Sequence, residues 1–384
     1  LLINIYAILK LPKFNFGSFF RHKICSVYTY VNIMHYNNEN DGEYMSNNTE
    51  GHKQFYIATA NLLNLANPNR TYYENAPAYN DKTYEHKLRG LTDLLAKAHA
   101  DIIAVQEVWD SDALEALAIS LGFKPEHAVI PLASNDSASI YTKGMGAQNT
   151  PAVGIISRFE QLETSLLEDI APKAIIDVPD IGPYQRFNRP PLVLRVDAYG
   201  QPITIITAHL KSKRAFFLRD ENGDLLEDMD DPNIRVRAKL RSLCMRAAEA
   251  ASIRMSIIER LQHTREPLIL LGDMNDVTGS VTTQLMTETG EVNYDKSMRD
   301  VALFDAARIQ ARYGWMKDVA YTHIYQGMPE VIDQLFVSEE FLPDSKFSLG
   351  YVERVDYFND HLKWDYADRV TDHGIIRAKI KLND

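Results

Sequence analysis

Five residues, Gly272-Asp273-Met274-Asn275-Asp276, follow the apolar run Pro267-Leu268-Ile269-Leu270-Leu271. An apolar run of that length between a proline and a glycine reads as a buried strand. Residues two apart on a strand share a face, so Asp273 and Asn275 emerge together at its end. A carboxylate beside an amide suits a site that activates water next to a phosphate. Taken alone, Asp-x-Asn after a strand marks a turn more often than a site, because both side chains bond their own backbone.

The same design recurs along the chain. Ile102-Ile103-Ala104-Val105 runs into Gln106-Glu107, and Tyr56-Ile57-Ala58-Thr59 leads to Asn61. The run Ile203-Thr204-Ile205-Ile206-Thr207 leads into Ala208-His209-Leu210-Lys211-Ser212-Lys213. Val331–Val337 carries Asp333 inside an otherwise apolar strand, and Thr371-Asp372-His373-Gly374 precedes the strand at 375–380. Strand ends gathered on one rim of a sheet are where α/β enzymes collect their chemistry. For any one of these residues a structural role is the simpler reading. Glu107 reads equally as a surface carboxylate and His209 as a satisfied core histidine. Asp333 is harder to dismiss, because a buried carboxylate is costly without a partner. For six strand ends together the simple reading fails.

The elements that must hold these residues alternate without internal repeat from residue 55 to 382. Helices are predicted at 84–99, 112–121, 238–262 and 299–311. In the third, Leu240, Cys244, Ala247, Ala251, Met255, Ile258 and Leu261 recur at helical spacing, with Arg235, Lys239 and Arg246 on a solvated face. Strands and helices are too interleaved for separate halves, so a layered α/β domain with two sheets is expected. The acidic stretch 219–231 imitates the start of a calcium loop. Leu225 stands where the loop needs glycine, so Asn222-Gly223 is read instead as a hairpin turn.

The whole chain has 384 residues, 45% hydrophobic and 24% charged, a composition of ordinary soluble globular proteins. Its net charge of −11 argues against a protein that coats duplex nucleic acid by electrostatics alone. An enzyme that neutralises phosphate locally with a metal is compatible with it. Two cysteines, Cys25 and Cys244, give no disulfide framework. No run approaches a membrane-spanning length, and a cytoplasmic monomer is expected. Residues 1–54 read as a poorly structured extension. Its basic residues Lys10, Lys13, Arg21 and Lys23 fall within or after the first apolar stretch, unlike a secretory signal. Met45 looks like a natural start, so residues 1–44 are expected to be a mis-called upstream extension or a dispensable tail.

The ordered set of motifs resembles the endonuclease/exonuclease/phosphatase superfamily, of which pancreatic deoxyribonuclease is the type member. The motifs are Thr-Ala-Asn at 59–61, Gln-Glu at 106–107, His-Leu-Lys-Ser-Lys at 209–213, Gly-Asp-Met-Asn-Asp at 272–276, Ile-Asp-Gln at 332–334 and Asp-His at 372–373. The flavour is that of its bacterial nuclease-type members. The resemblance implies a four-layered α/β sandwich, two mixed sheets packed face to face with helices on both outer sides. It implies a metal-dependent hydrolase of phosphate esters, a nuclease first and DNA before RNA. A phosphatase or small phosphodiesterase is the alternative, and an inactive scaffold a more distant one. Asn61, Glu107 and Asp372 would hold magnesium or manganese, which take hard oxygen ligands. Asp273 would be the base, and Asn275 would donate a hydrogen bond to the phosphate or hold Asp273 in place. His373, oriented by Asp333, and His209 would face the phosphate. Lys211 and Lys213 extend the positive field. Arg189 would either reach substrate or fix a loop. Inositol phosphatases of the family continue Asp-x-Asn with an aromatic residue and arginine, whereas Asp276-Val277 follows here.

Overall fold

The computed structural model describes residues 53–383, apart from 73–76, 131–137, 143–145, 263, 288–295, 311–319 and 364–369; side chains are not described over 131–149. Expectations about residues 1–52 lie outside these. The elements that build the domain are β1 (Gln54–Leu65), α1 (Asp81–Ala96), β2 (Ile102–Val108), α2 (Ser111–Ser120), β3 (Ala128–Val129), β4 (Ala152–Ser157), β5 (Glu160–Leu166), β6 (Leu192–Ala198), β7 (Gln201–His209), α3 (Pro232–Leu261), β8 (Leu268–Asp273), α4 (Val281–Thr287), β9 (Phe304–Asp305), β10 (His323–Tyr325), β11 (Met328–Glu330), β12 (Asp333–Val337), β13 (Gly350–Phe358) and β14 (Ile375–Leu382).

Two six-stranded sheets result, in the orders β13-β14-β1-β2-β4-β3 and β9-β12-β8-β7-β6-β5. Each is mixed: β1 runs parallel to β2 and β7 parallel to β8, while the flanking strands are antiparallel. Alternation along the strands makes three apolar layers. Ile102 and Ala104 of β2 meet Ile203, Ile205, Ile269 and Leu271 of the second sheet in the central core. Ile103 and Val105 face the other way, onto Leu91 and Leu95 of α1 and Leu114 and Leu117 of α2. Ile206, Leu268 and Leu270 pack outward onto Met245, Ile253 and Ile257 of α3. This is the four-layered α/β sandwich that the motif order implied. Truncating a central residue such as Ile269 to alanine would open a void between the sheets, costing about 2–5 kcal/mol.

The helix ends follow their caps. Helix α1 begins three residues earlier than its apolar spacing predicts, because the Asn80 side chain accepts from the Thr83 N–H at 2.9 Å. Helix α3 begins at Pro232, with Asp231 as its N-cap. Its buried face differs from the predicted one. Leu240 is 45% exposed, while Arg241, Arg246, Glu249 and Arg254 are buried. Arg241 is paired with Asp180 and Glu227, so the stripe that is buried, displaced from the predicted one, carries paired charge. The predicted helix at 299–311 is a 3₁₀ turn, a two-residue strand and one helical turn, because Phe304 and Asp305 pair with β12. Cys244 lies at the margin of the α3 core, partly buried. At Asn222-Gly223 the expected turn forms, with Asp220 accepting from the N–H groups of Asn222 and Asp224.

Candidate active site

The strand ends carrying polar residues converge on one rim. On the second sheet the register sets His209, Asp273 and Asp333 side by side on three adjacent strands. Gly272 makes this possible: its φ is +143°, and a Cβ there would come within 2.0 Å of the Ala208 carbonyl oxygen. The Asp273 carboxylate accepts the Asn275 backbone N–H at 2.8 Å and the Asn61 amide at 3.1 Å. His209 Nε2 lies 3.4 Å and His373 Nε2 3.8 Å from the same oxygen, Oδ2. Asp333, fully buried, meets His373 Nδ1 at 2.8 Å. This contact fixes Nδ1 as a donor and turns Nε2 toward Asp273. The Asn275 side chain donates to the Leu210 carbonyl at 3.0 Å, tying the ends of β7 and β8 together.

Burial and charge separate the protonation states of the site. Burial alone would keep His373 neutral, but Asp333, Asp273 and Asp372 outweigh it and raise its pKa well above the ordinary histidine value. His209 moves the opposite way: burial first, then Arg189, His373 and Lys211, push it well below the ordinary value. Asp273 is pushed up to about 7, chiefly by burial and partly by Asp333, against the pull of His373. The rim therefore holds a cationic imidazole, a neutral imidazole and a carboxylate balanced near neutrality. Such a set is suited to moving protons.

The first sheet supplies the other half. Leu63, Asn64 and Glu107 all have left-handed backbones, with φ of 49°, 62° and 62°. Non-glycine residues in that region persist only when their surroundings hold them. Here Glu107 accepts the Asn61 amide at 3.2 Å and the Asn64 N–H at 3.1 Å. Asn61 thus bridges Glu107 on its own sheet and Asp273 on the other, with its Oδ1 accepting the Leu63 N–H. Thr371 Oγ accepts the His373 N–H and donates to the Asn61 carbonyl, docking the Asp-His pair beside β1. Asp372 Oδ1 is buried with no hydrogen-bond partner among the described residues. A buried carboxylate oxygen left without a partner fits a hard divalent cation. A second grouping, Asp273, Asp333 and His373, has ligand atoms within 4.8 Å of one another. There the His373–Asp333 hydrogen bond already occupies two of the donors.

A family model described as the Endonuclease/Exonuclease/phosphatase family matches residues 58–373. The chain belongs to this family. Its members are phosphoester hydrolases, generally dependent on a divalent metal. Solved structures of similar chains include a family member from Bacteroides thetaiotaomicron, 12% identical over 87% of this chain and 99% of that one, with a TM-score of 0.48. The human Nocturnin catalytic domain is 12% identical over 87% and 96%, with a TM-score of 0.48. A mannosyl-6-phosphatase from Bacteroides thetaiotaomicron is 13% identical over 85% and 99%, with a TM-score of 0.46. No curated protein matches the sequence.

Within this family member the remaining named cations have separate places. Arg189 donates to the carbonyls of His209 and Leu210 at 3.1 and 2.7 Å, so it fixes the exit of β7. The Lys211 ammonium lies over the Phe216 ring, pushed down to about 8 by burial and then by Arg189. Lys213 pairs with Asp276 and Glu330 at the rim. Arg246, expected on a solvated face, is buried. It meets Asp276 at 3.3 Å and the Lys211 carbonyl at 3.2 Å. Glu249 accepts the Lys211 N–H and the Tyr184 hydroxyl, both at 2.7 Å. His323 of β10 lies with its ring centroid 5.3 Å from that of His373. Nothing in local spacing marks Arg246, Glu249 or His323. Their roles come from which strand end each one meets.

Proposed function

We propose that the chain is a divalent-metal-dependent phosphodiesterase acting as a nuclease. The observation that carries this reading is the line Asp333–His373 facing Asp273, with Glu107 and Asp372 on the opposite rim. Asp273 takes the proton of the attacking water. Its carboxylate is held at both oxygens, so it meets the water without reorganising. His373, kept cationic by Asp333, faces the phosphate and gives a proton to the leaving oxygen. His209, neutral, offers an N–H to a non-bridging oxygen. Magnesium or manganese, held by Glu107 and Asp372 beside Asn61, would offset charge on the phosphate as the pentacoordinate transition state forms.

Lys211, Lys213 and Arg214 at the exit of β7 favour a substrate with more than one phosphate, as nucleic acid provides. The net charge of −11 favours the second reading, a phosphatase or phosphodiesterase of small molecules. Supercoiled DNA, single-stranded DNA, RNA, bis-p-nitrophenyl phosphate and p-nitrophenyl phosphate should be compared with magnesium, manganese and EDTA. The nuclease reading expects cleavage of DNA with either metal and none in EDTA. Turnover of the monoester alone would favour the phosphatase. Full activity in EDTA after dialysis would reject the metal reading.

A further inference from the structure

Lys87 stands on the buried face of α1 with 6% of its surface exposed. A helical lysine ordinarily leaves its ammonium in water. This one donates to the carbonyls of Leu63, at 2.9 Å, and Val370. Both carbonyls belong to segments that carry the proposed cation ligands. Leu63 lies between Asn61 and Asn64, and the Asn64 N–H grips Glu107. Val370 lies two residues before Asp372. Gly90, one turn along α1, lets the helix come close enough: a Cβ there would sit 2.3 Å from the Val370 side chain.

We infer that Lys87 is the positioning residue of the cation site, stapling the kinked end of β1 to the 370–372 segment so that Glu107 and Asp372 are held toward one metal ion. The inference rests on the metal reading given above. Position and charge make opposite demands here. A lysine acting through charge alone repels a dication, so removing it would tighten metal binding. A lysine that holds ligands in place loses them when removed, and losses of supporting contacts of this kind weaken metal binding about 10–100-fold.

The experiment is a titration of the substrate-free full chain with Mn2+, reading free ion by electron paramagnetic resonance. Wild type is compared with Lys87→Met and Lys87→Gln, each with its thermal midpoint. Affinity about 10-fold or more below wild type in the variants, with the metal-free midpoint little changed, is the expected result. Wild-type or tighter affinity overturns the inference. So does a lowered midpoint with wild-type affinity, which would make Lys87 merely structural. Should Lys87→Met not fold, Lys87→Gln decides by the same criteria. If wild type itself binds no Mn2+, the metal reading fails, and this inference with it.

Discussion

Both rims leave the extended line, the first at Leu63, Asn64 and Glu107 and the second at Gly272 and Asn275, but on the second three polar residues stay in register on adjacent strands. On the first rim Leu63, Asn64 and Glu107 take left-handed backbones, and the Glu107 carboxylate accepts from the Asn61 amide and the Asn64 N–H. His209, Asp273 and Asp333 instead sit at matched positions on adjacent strands. Under the proposed function the two rims have different tasks. A cation needs oxygens converging from several directions, which a flat pleat does not offer. Proton transfer needs side chains in line at hydrogen-bond reach, and neighbouring strands about 4.8 Å apart supply that spacing. Asn61 joins the two rims, and His373 crosses from the edge of one to the acids of the other.

The largest effect expected from breaking one rim alone comes from Asp273→Asn. Turnover should fall roughly 10²- to 10⁴-fold, because the amide cannot take the water's proton. Stability should move the other way. Asp273 in the fold is pushed up to about 7 from an ordinary value of 3.8. The folded protein therefore holds that proton between these values. The stability this contributes is complete below 3.8 and is lost as pH rises through about 7. At pH 8 the variant, which has no charge to bury, should melt at or above wild type. A variant that turns over within a few-fold of wild type would remove Asp273 from the mechanism.

Next comes the internal logic of the second rim. Asp333 and His373, joined at 2.8 Å, should act as one unit. The double alanine variant should be little slower than His373→Ala alone, since residues acting together are strongly non-additive. If the two losses multiply, the pairing has no catalytic meaning.

These second-rim residues were also the legible ones. Asp273 ends an apolar run, Asp333 lies inside one and His373 precedes one, so their places could be read from the strands, whereas the pairing of Asp333 with His373 came from the family resemblance. The layers were legible for the same reason, as Ile102 to Val105 alternates between two cores. Lys87 was not legible, because a lysine on an amphipathic helix reads as solvated until its two carbonyl partners are known. Arg241, Arg246 and Glu249 broke the apolar rhythm of α3 while being buried, and shifted its predicted face. The two backbone carbonyls that Arg189 meets are likewise encoded by no local pattern.

A smaller effect should sharpen the bridge between the rims. The Asn61 amide stabilises the Asp273 carboxylate and holds its pKa down. In Asn61→Leu the acidic limb of kcat/KM, set by Asp273 losing its proton, should move to higher pH. The pH–rate profiles of the two proteins check this. An unmoved or lowered limb would deny the bridge an electrostatic role.

The division of labour between the rims is tested most directly by Mn2+ affinity in the absence of substrate, measured side by side for wild type, Glu107→Gln and Asp273→Asn. A cation held by the first rim requires Glu107→Gln to bind at least about 10-fold more weakly and Asp273→Asn to stay within about threefold of wild type. The reverse pattern, with affinity lost in Asp273→Asn and kept in Glu107→Gln, would place the ion on Asp273, Asp333 and His373 and contradict the assignment of both rims.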